Sequence, residues 1–226
     1  PLVTDRPDVT ESSSTVGAAR LQLESGITIT NFRSRSNEAT IGEILLRWGI
    51  FETLELRFLI PTYARVRGGS GDASGFLASA LGGKLQLTEG DGAGLPEGME
   101  LAVIVATTVA TGTGDFETSC WQPEAVLCAS WPLAPTVGIG TNFGVARPAG
   151  EASRFTTVWA SAALGVGLKD TMSGFIELIG FNREEERGPN TVTLQFGLTY
   201  LLNPDIQVSV EPRHSNRCAG SAPPDG

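Results

Sequence analysis

Charged side chains recur at even spacings in two neighbouring stretches of the chain, and such residues can form ion pairs. Glu43 and Arg47 lie in the first stretch, and Glu55 and Arg57 lie in the second. In β-strands, even spacings put side chains on one face, where neighbouring strands could build a ladder of cross-strand ion pairs. The ladder could form a charged constriction that selects solutes, or a structural network inside a small barrel. We favour the network, because small barrels commonly have filled interiors.

Three more cations, Arg65, Arg67 and Lys84, lie further along the same predicted face. They are nearer to the end of the barrel where we expect the longer loops. They could attract anions or sit at a solvated mouth. Together with the four residues above, they are the predicted lumen-lining residues.

Four charged residues precede the first predicted strand: Asp5, Arg6, Asp8 and Glu11. One interpretation is a segment that folds back into the lumen and pairs with the arginines. The other is a flexible periplasmic end with solvated charges. Their spacing does not match a known calcium-binding loop.

Composition argues against several other chemistries. The only histidine is His214, so an imidazole metal site is excluded and no serine has a candidate base. The net charge of −9 argues against a nucleic-acid partner. We therefore predict no enzymatic activity, catalytic residue, metal or cofactor.

Residues 54–67 show the clearest alternation in the chain. Leu54, Leu56 and Phe58 fall on one face, with charged residues on the other. A strand shows this period of two, and about ten tilted residues are enough to cross a bilayer. We therefore expect the apolar face to touch lipid and the charged face to line the interior.

Similar segments recur along the 226 residues, which suit a single domain. Short turns alternate with long polar loops between most of them, which is the layout of bacterial outer-membrane barrels. A membrane-spanning helix is improbable, because prolines interrupt the longest uncharged stretch. The eleven predicted strands are 21–30, 40–48, 54–67, 77–87, 101–109, 125–131, 137–145, 155–168, 173–181, 191–201 and 206–210.

The competing interpretation is a soluble sandwich or lipocalin-like barrel, whose apolar face would point inward. Trp48, Trp131, Trp159 and Tyr200 favour the membrane barrel, because they could form an aromatic girdle.

Three motifs together resemble one family of bacterial outer-membrane proteins, labelled as meta-pathway phenol-degradation transporters. They are the opening LVTDRPDVTES at residues 2–12, ILLRWG followed by LELR within residues 44–57, and GLTYLLNPD at residues 197–205. The resemblance implies an all-β, antiparallel up-and-down transmembrane barrel of about twelve strands. It also implies a role in the uptake of small, often aromatic, compounds.

The two ends of the sequence differ from the central pattern. Residues 1–17 form the N-terminal segment, residues 18–210 the barrel, and residues 211–226 a tail that resembles a frameshift and that we expect to be disordered. A last strand would then be missing, leaving two unpaired edges. No signal peptide is recognisable, so we expect any export signal to lie upstream.

These observations predict a passive outer-membrane channel for small hydrophobic or aromatic solutes. The alternatives are a non-transporting structural barrel and a soluble lipocalin-like binding protein. The expected partners are the lipid bilayer, a small-molecule solute and the barrel assembly machinery.

Overall fold

The computed structural model describes residues 2–5, 9–31, 37–67, 72–88, 95–118, 120–150, 152–210 and 213–217. One antiparallel sheet contains all fourteen strands. They are β1 (Leu21–Asn31), β2 (Asn37–Phe51), β3 (Leu54–Leu59), β4 (Tyr63–Arg67), β5 (Ala73–Phe76), β6 (Ala80–Thr88), β7 (Glu100–Thr108), β8 (Gln122–Ala134), β9 (Val137–Ala146), β10 (Thr157–Lys169), β11 (Met172–Phe181), β12 (Thr191–Asn203), β13 (Ile206–Val210) and β14 (Arg213–Arg217), with a 3₁₀ turn at Gly114–Phe116.

Three pairs of strands are halves of one longer strand. Both β3 and β4 pair with β2, while β6 pairs with β3 and β5 with β4. Likewise, β13 and β14 both pair with β12. The fourteen strands therefore make eleven transmembrane strands in the described part of the chain, each antiparallel to its neighbours in sequence. The predicted antiparallel up-and-down barrel is confirmed.

The barrel interior is mostly polar, with one apolar cluster around Ile104 and Trp159, and its outer face is apolar. Its five largest fully buried side chains are all polar, whereas apolar side chains such as Leu23 (63% exposed) and Phe196 (57% exposed) cover the outer face. That distribution is the reverse of a soluble protein and fits a wall surrounded by lipid. The soluble lipocalin-like interpretation is therefore wrong. The five buried polar residues are Arg47, Lys84, Gln195, Glu55 and Glu177.

No helix within the described residues is both long and apolar enough to cross a membrane.

The alternation of faces changes phase partway along the second and third transmembrane strands. Gly42 and Glu43 have positive φ angles of 107° and 32°, and residues 60–62 interrupt the third strand between β3 and β4. Beyond these irregularities buried Ala64 faces inward, so Arg65 and Arg67 lie on the exposed outer face. The prediction that Arg65 and Arg67 line the lumen is therefore wrong.

The two rims differ in their connections. Two residues join the strands at 52–53, 135–136, 170–171 and 204–205. The opposite rim, called the long-loop rim here, carries the connections 32–36, 68–72, 109–121, 147–156 and 182–190. The connection 89–99 is a long one on the short-turn rim. The predicted alternation of short turns with long loops is therefore present for most of the connections.

The last transmembrane strand extends beyond the alternation seen in the sequence. Residues 213–217 form β14, which continues the line of β13 along β12. The expectation of a disordered tail from residue 211 is thus wrong for residues 213–217. Residues 211–212 and 218–226 lie outside the described part of the chain.

Candidate functional site: a plugged barrel lumen

The N-terminal segment lies inside the barrel, as the first of its two sequence interpretations expected. We call described residues 2–5 and 9–16 the plug. The hydroxyl of Ser13 donates to Glu100 at 3.1 Å on one side of the lumen, and the hydroxyl of Thr10 contacts that of Ser161 at 2.7 Å on another. The plug therefore crosses the lumen and bonds to several different strands.

Asp5 is the centre of a buried cluster of charges. Its carboxylate oxygen Oδ2 lies 2.7 Å from Lys84 Nζ and 3.2 Å from an Arg47 nitrogen, and it also accepts a bond from Arg57. The other oxygen, Oδ1, accepts the backbone N–H of Ser12 at 2.9 Å and its hydroxyl at 2.8 Å. Three cations from three transmembrane strands therefore converge on one plug carboxylate.

Wall carboxylates hold the same cations in place. Arg47 makes two parallel hydrogen bonds to Glu55, of 2.9 and 3.0 Å, and a third of 3.1 Å to Glu24. Arg57 donates to Glu55 at 3.1 Å and to Glu11 of the plug at 2.6 Å. Bidentate geometry fixes the Arg47 guanidinium, so the cations are preorganised for the plug.

The charge count explains why this region attracts an anion. Within the cluster the wall supplies three cations, Arg47, Arg57 and Lys84, and two carboxylates, Glu24 and Glu55. Without the plug, three positive and two negative charges leave a local excess of +1. Burial would raise the pKa of Asp5, but the charges of Lys84, Arg57 and Arg47 hold that pKa well below its usual range. Asp5 therefore enters the cluster ionised.

A second attachment uses a buried carboxylate whose bonds come from neutral groups. Glu177 on β11 accepts the backbone N–H groups of Val9 at 3.1 Å and Thr10 at 2.6 Å, and the hydroxyl of Thr10 at 2.5 Å. The amide of Gln195 on β12 donates to the same carboxylate. Glu177 thus accepts hydrogen bonds from backbone N–H groups of the plug that have no partner in the sheet.

A cavity of about 310 Å³ lies between the plug and the long-loop rim. Mostly apolar side chains line this outer cavity, including Leu59, Ile104 and Trp159. Trp159 is only 7% exposed, and its indole N–H donates to Glu124 at 3.1 Å. The expectation that Trp159 belongs to an outer girdle is wrong, because its side chain points into the lumen.

A second cavity, of about 590 Å³, lies on the short-turn side of the plug. Its wall includes Gly138, Gly140, Ala163 and Gly165, whose small size leaves room for the plug. A Cβ on Gly140, for example, would come within 3.2 Å of the Thr10 methyl group. Glu11 lines both cavities, so the plug separates an apolar outer cavity from the inner one.

The structure brings together some predicted site residues and separates others. Arg47, Glu55 and Arg57 form the cluster with Lys84, which is fully buried there and not at a solvated mouth. Glu43 lies outside the cluster, because it occupies the irregularity in β2 and accepts a hydrogen bond from Thr40. Asp5 and Glu11 lie in the lumen, whereas Arg6 and Asp8 fall outside the described residues.

The sequence did not identify Glu24, Glu177 and Glu100 as candidate site residues. Each is a carboxylate in or beside an apolar strand segment, and a lone charge in such a segment was the available signal. In the part of the chain that the structure describes, no group of three or more His, Cys, Asp or Glu residues could hold a metal ion.

Comparisons with known proteins agree with this architecture. A model of the family described as "Putative MetA-pathway of phenol degradation" matches residues 4–217. The crystal structure of the COG4313 outer membrane channel from Pseudomonas putida F1 is similar with a TM-score of 0.66 at 14% identity, covering 91% of each chain. No curated protein is detectably similar in sequence.

Proposed function

We propose that this chain, which belongs to the Putative MetA-pathway of phenol degradation family, is a passive outer-membrane channel for small aromatic compounds. The plug closes the channel in the described conformation. The observation that carries the proposal is the division of one lumen by the plug into an apolar outer cavity and a separate inner cavity.

The outer cavity has the size and the chemistry for an aromatic ring. Its volume of about 310 Å³ is roughly twice that of an engineered apolar cavity that binds benzene. Trp159 and Ile104 offer apolar surface, while Arg57 and Glu124 at its border could orient a hydroxyl or carboxylate group. This combination favours an aromatic ring with one polar substituent.

Passage to the inner cavity requires the plug to move. The plug is not part of the sheet: hydrogen bonds, ion pairs and packing hold it, so it can leave without breaking a strand ladder. Its departure would expose the local excess of positive charge on the wall, which favours an anionic or hydroxylated solute.

The test measures benzoate entry into liposomes that contain the folded protein, at a pH where benzoate is ionised and crosses lipid slowly. We expect faster entry than into empty liposomes, and faster entry still when Asp5→Asn loosens the plug. Trp159→Ala should change the preference for benzoate over a straight-chain carboxylate. If neither the wild type nor Asp5→Asn admits benzoate, the transport proposal fails and a structural barrel is the better interpretation.

A further inference from the structure

Two arginines lie on the outer side of the wall, close to the long-loop rim. Arg65 and Arg67 are exposed on the outer face of β4, and Arg67 is the last residue of that strand. An arginine on the lipid face of a barrel is most unfavourable at the middle of the bilayer and least unfavourable near the headgroups. The position of both residues at the end of a strand therefore suits contact with lipid headgroups.

Neither arginine is held by another side chain of the protein. Within the ranges that the structure describes, no carboxylate forms an ion pair with Arg65 or Arg67, and neither guanidinium donates a hydrogen bond. Asp115, beyond the far edge of β5, instead accepts the backbone N–H of Ser74 at 2.8 Å. In this part of the chain both guanidiniums therefore keep their donors available for a ligand from outside the protein.

The outer face changes in character towards the arginines. On the third transmembrane strand, Phe58 and Ile60 are apolar and 40% and 41% exposed. Tyr63 comes next, and its ring packs edge-on against Phe76 of β5, with the ring centres 5.5 Å apart. Aromatic side chains are typical of the boundary between hydrocarbon and headgroups. Apolar, aromatic and cationic side chains therefore follow one another in the order of acyl chains, boundary and phosphate in a lipid.

The spacing of the two arginines suits a phosphate group. Residues two apart on one face of a strand are separated by about 7 Å, so both long side chains can reach the same phosphate. Guanidinium groups bind phosphate oxygens through paired hydrogen bonds. The residues opposite Arg65 are small, Ala39 on β2 and Ser74 on β5, which leaves room for a headgroup beside it.

We propose that Arg65 and Arg67 form a binding site for the phosphate of an outer-leaflet lipid of the lipid A type, in which acyl chains carry a phosphorylated sugar. The long-loop rim of an outer-membrane barrel faces the outside of the cell, so the two arginines lie beside the outer leaflet. The acyl chains pack on Phe58 and Ile60, and the phosphate binds the two guanidiniums. This inference is independent of the solute and of the plug.

The test titrates the folded protein in detergent with bisphosphorylated lipid A and counts the bound lipid by native mass spectrometry. The double variant Arg65→Gln/Arg67→Gln should bind lipid A about 30-fold more weakly than the wild type, the loss expected for two cations beside an anionic lipid surface. The matched control, Arg20→Gln/Lys169→Gln, removes two exposed cations at the short-turn rim. It should leave the affinity unchanged.

Two further probes separate the phosphate from the acyl chains and from free phosphate. Dephosphorylated lipid A should bind the wild type as weakly as it binds Arg65→Gln/Arg67→Gln, and an excess of inorganic phosphate should not displace lipid A. Equal binding of lipid A by the wild type and this variant, an equal loss in the control, or no preference for the phosphorylated lipid would overturn the proposal. Displacement by inorganic phosphate would identify a site for free phosphate and also overturn it. Heat-dependent gel mobility checks folding, and if the double variant does not fold, Arg67→Gln alone tests the same site.

Discussion

Replacing Asp5 with asparagine should release the plug without unfolding the barrel. Asparagine keeps an oxygen for the bonds from Ser12, but it puts an amide NH₂ group where Oδ2 faces Lys84, Arg47 and Arg57. Removing one partner of a buried ion pair costs about 3–5 kcal/mol, because the other charge remains buried and uncompensated. The wall can avoid that cost by letting the plug leave and water enter.

A cost of this size should shift the ratio of docked to undocked plug by about 10²-fold to about 4 × 10³-fold, since each 1.4 kcal/mol is a factor of ten. The assay places a thiol on the plug through Ser13→Cys, in a background with Cys120, Cys128 and Cys218 changed to alanine, and measures its rate of labelling by a water-soluble maleimide. Ser13 is only 1% exposed, so labelling requires undocking. We expect Asp5→Asn to accelerate labelling by at least about tenfold.

The matched control is Asp205→Asn, which makes the same substitution at an exposed two-residue turn. It should leave the labelling rate unchanged. If Asp5→Asn labels no faster than this control, the charged cluster does not hold the plug and the charge argument is refuted. Loss of heat-dependent gel mobility in Asp5→Asn would also refute it, because the effect would then be on the whole barrel.

Three further predictions concern other contacts. Glu177→Gln should weaken plug docking by about 1.5–3 kcal/mol, the range for hydrogen bonds to charged groups, and the same labelling assay should show this. Gly144→Ala should destabilise the folded barrel by about 1–3 kcal/mol in urea titrations, because the new Cβ would come within 2.1 Å of the Trp159 ring. The control Gly180→Ala should leave the stability unchanged, because its Cβ would have only one neighbouring atom, at 4.0 Å. Hydrogen bonds from the Ala152 N–H and Ser153 lower the pKa of Glu186 from 4.5, so the link between their two loops should persist above pH 4.5 and be lost as the pH falls through that lowered pKa. A smaller protection of the Ala152 amide against hydrogen exchange, relative to the intrinsic exchange rate at the same pH, should report the loss. Glu186→Gln should remove the pH dependence.

Local periodicity was enough to predict the strands and part of the lumen wall. Glu55 and Arg57 are two residues apart in an uninterrupted strand, so their shared inward face follows from the pleat. The same rule fails for Arg65, because the interruption at residues 60–62 changes the phase. Pro61, which lacks a backbone N–H to donate to the ladder, lies in that interruption and was the signal available in the sequence.

Long-range partners were beyond the reach of sequence spacing. The resemblance allowed Asp5 to meet the arginines, but spacing alone could not identify Lys84 as a partner 79 residues away. Glu177 is a single carboxylate in an apolar strand, and its partners come from the plug and from β12. Such contacts depend on the path of the chain through the lumen, which only the folded structure defines.

The two plug attachments differ greatly in the length of chain that they join, and this bears on the order of assembly. Asp5 meets partners 52 and 79 residues away, all within the first four transmembrane strands, whereas Thr10 meets Glu177 across 167 residues. Contacts between nearby parts of a chain generally form before contacts between distant parts. The charged attachment should therefore capture the N-terminus early in folding, and the Glu177 attachment should form only after the ninth transmembrane strand is in place. The lumen is then sealed only in a molecule whose wall is almost complete, so a folding intermediate would leak.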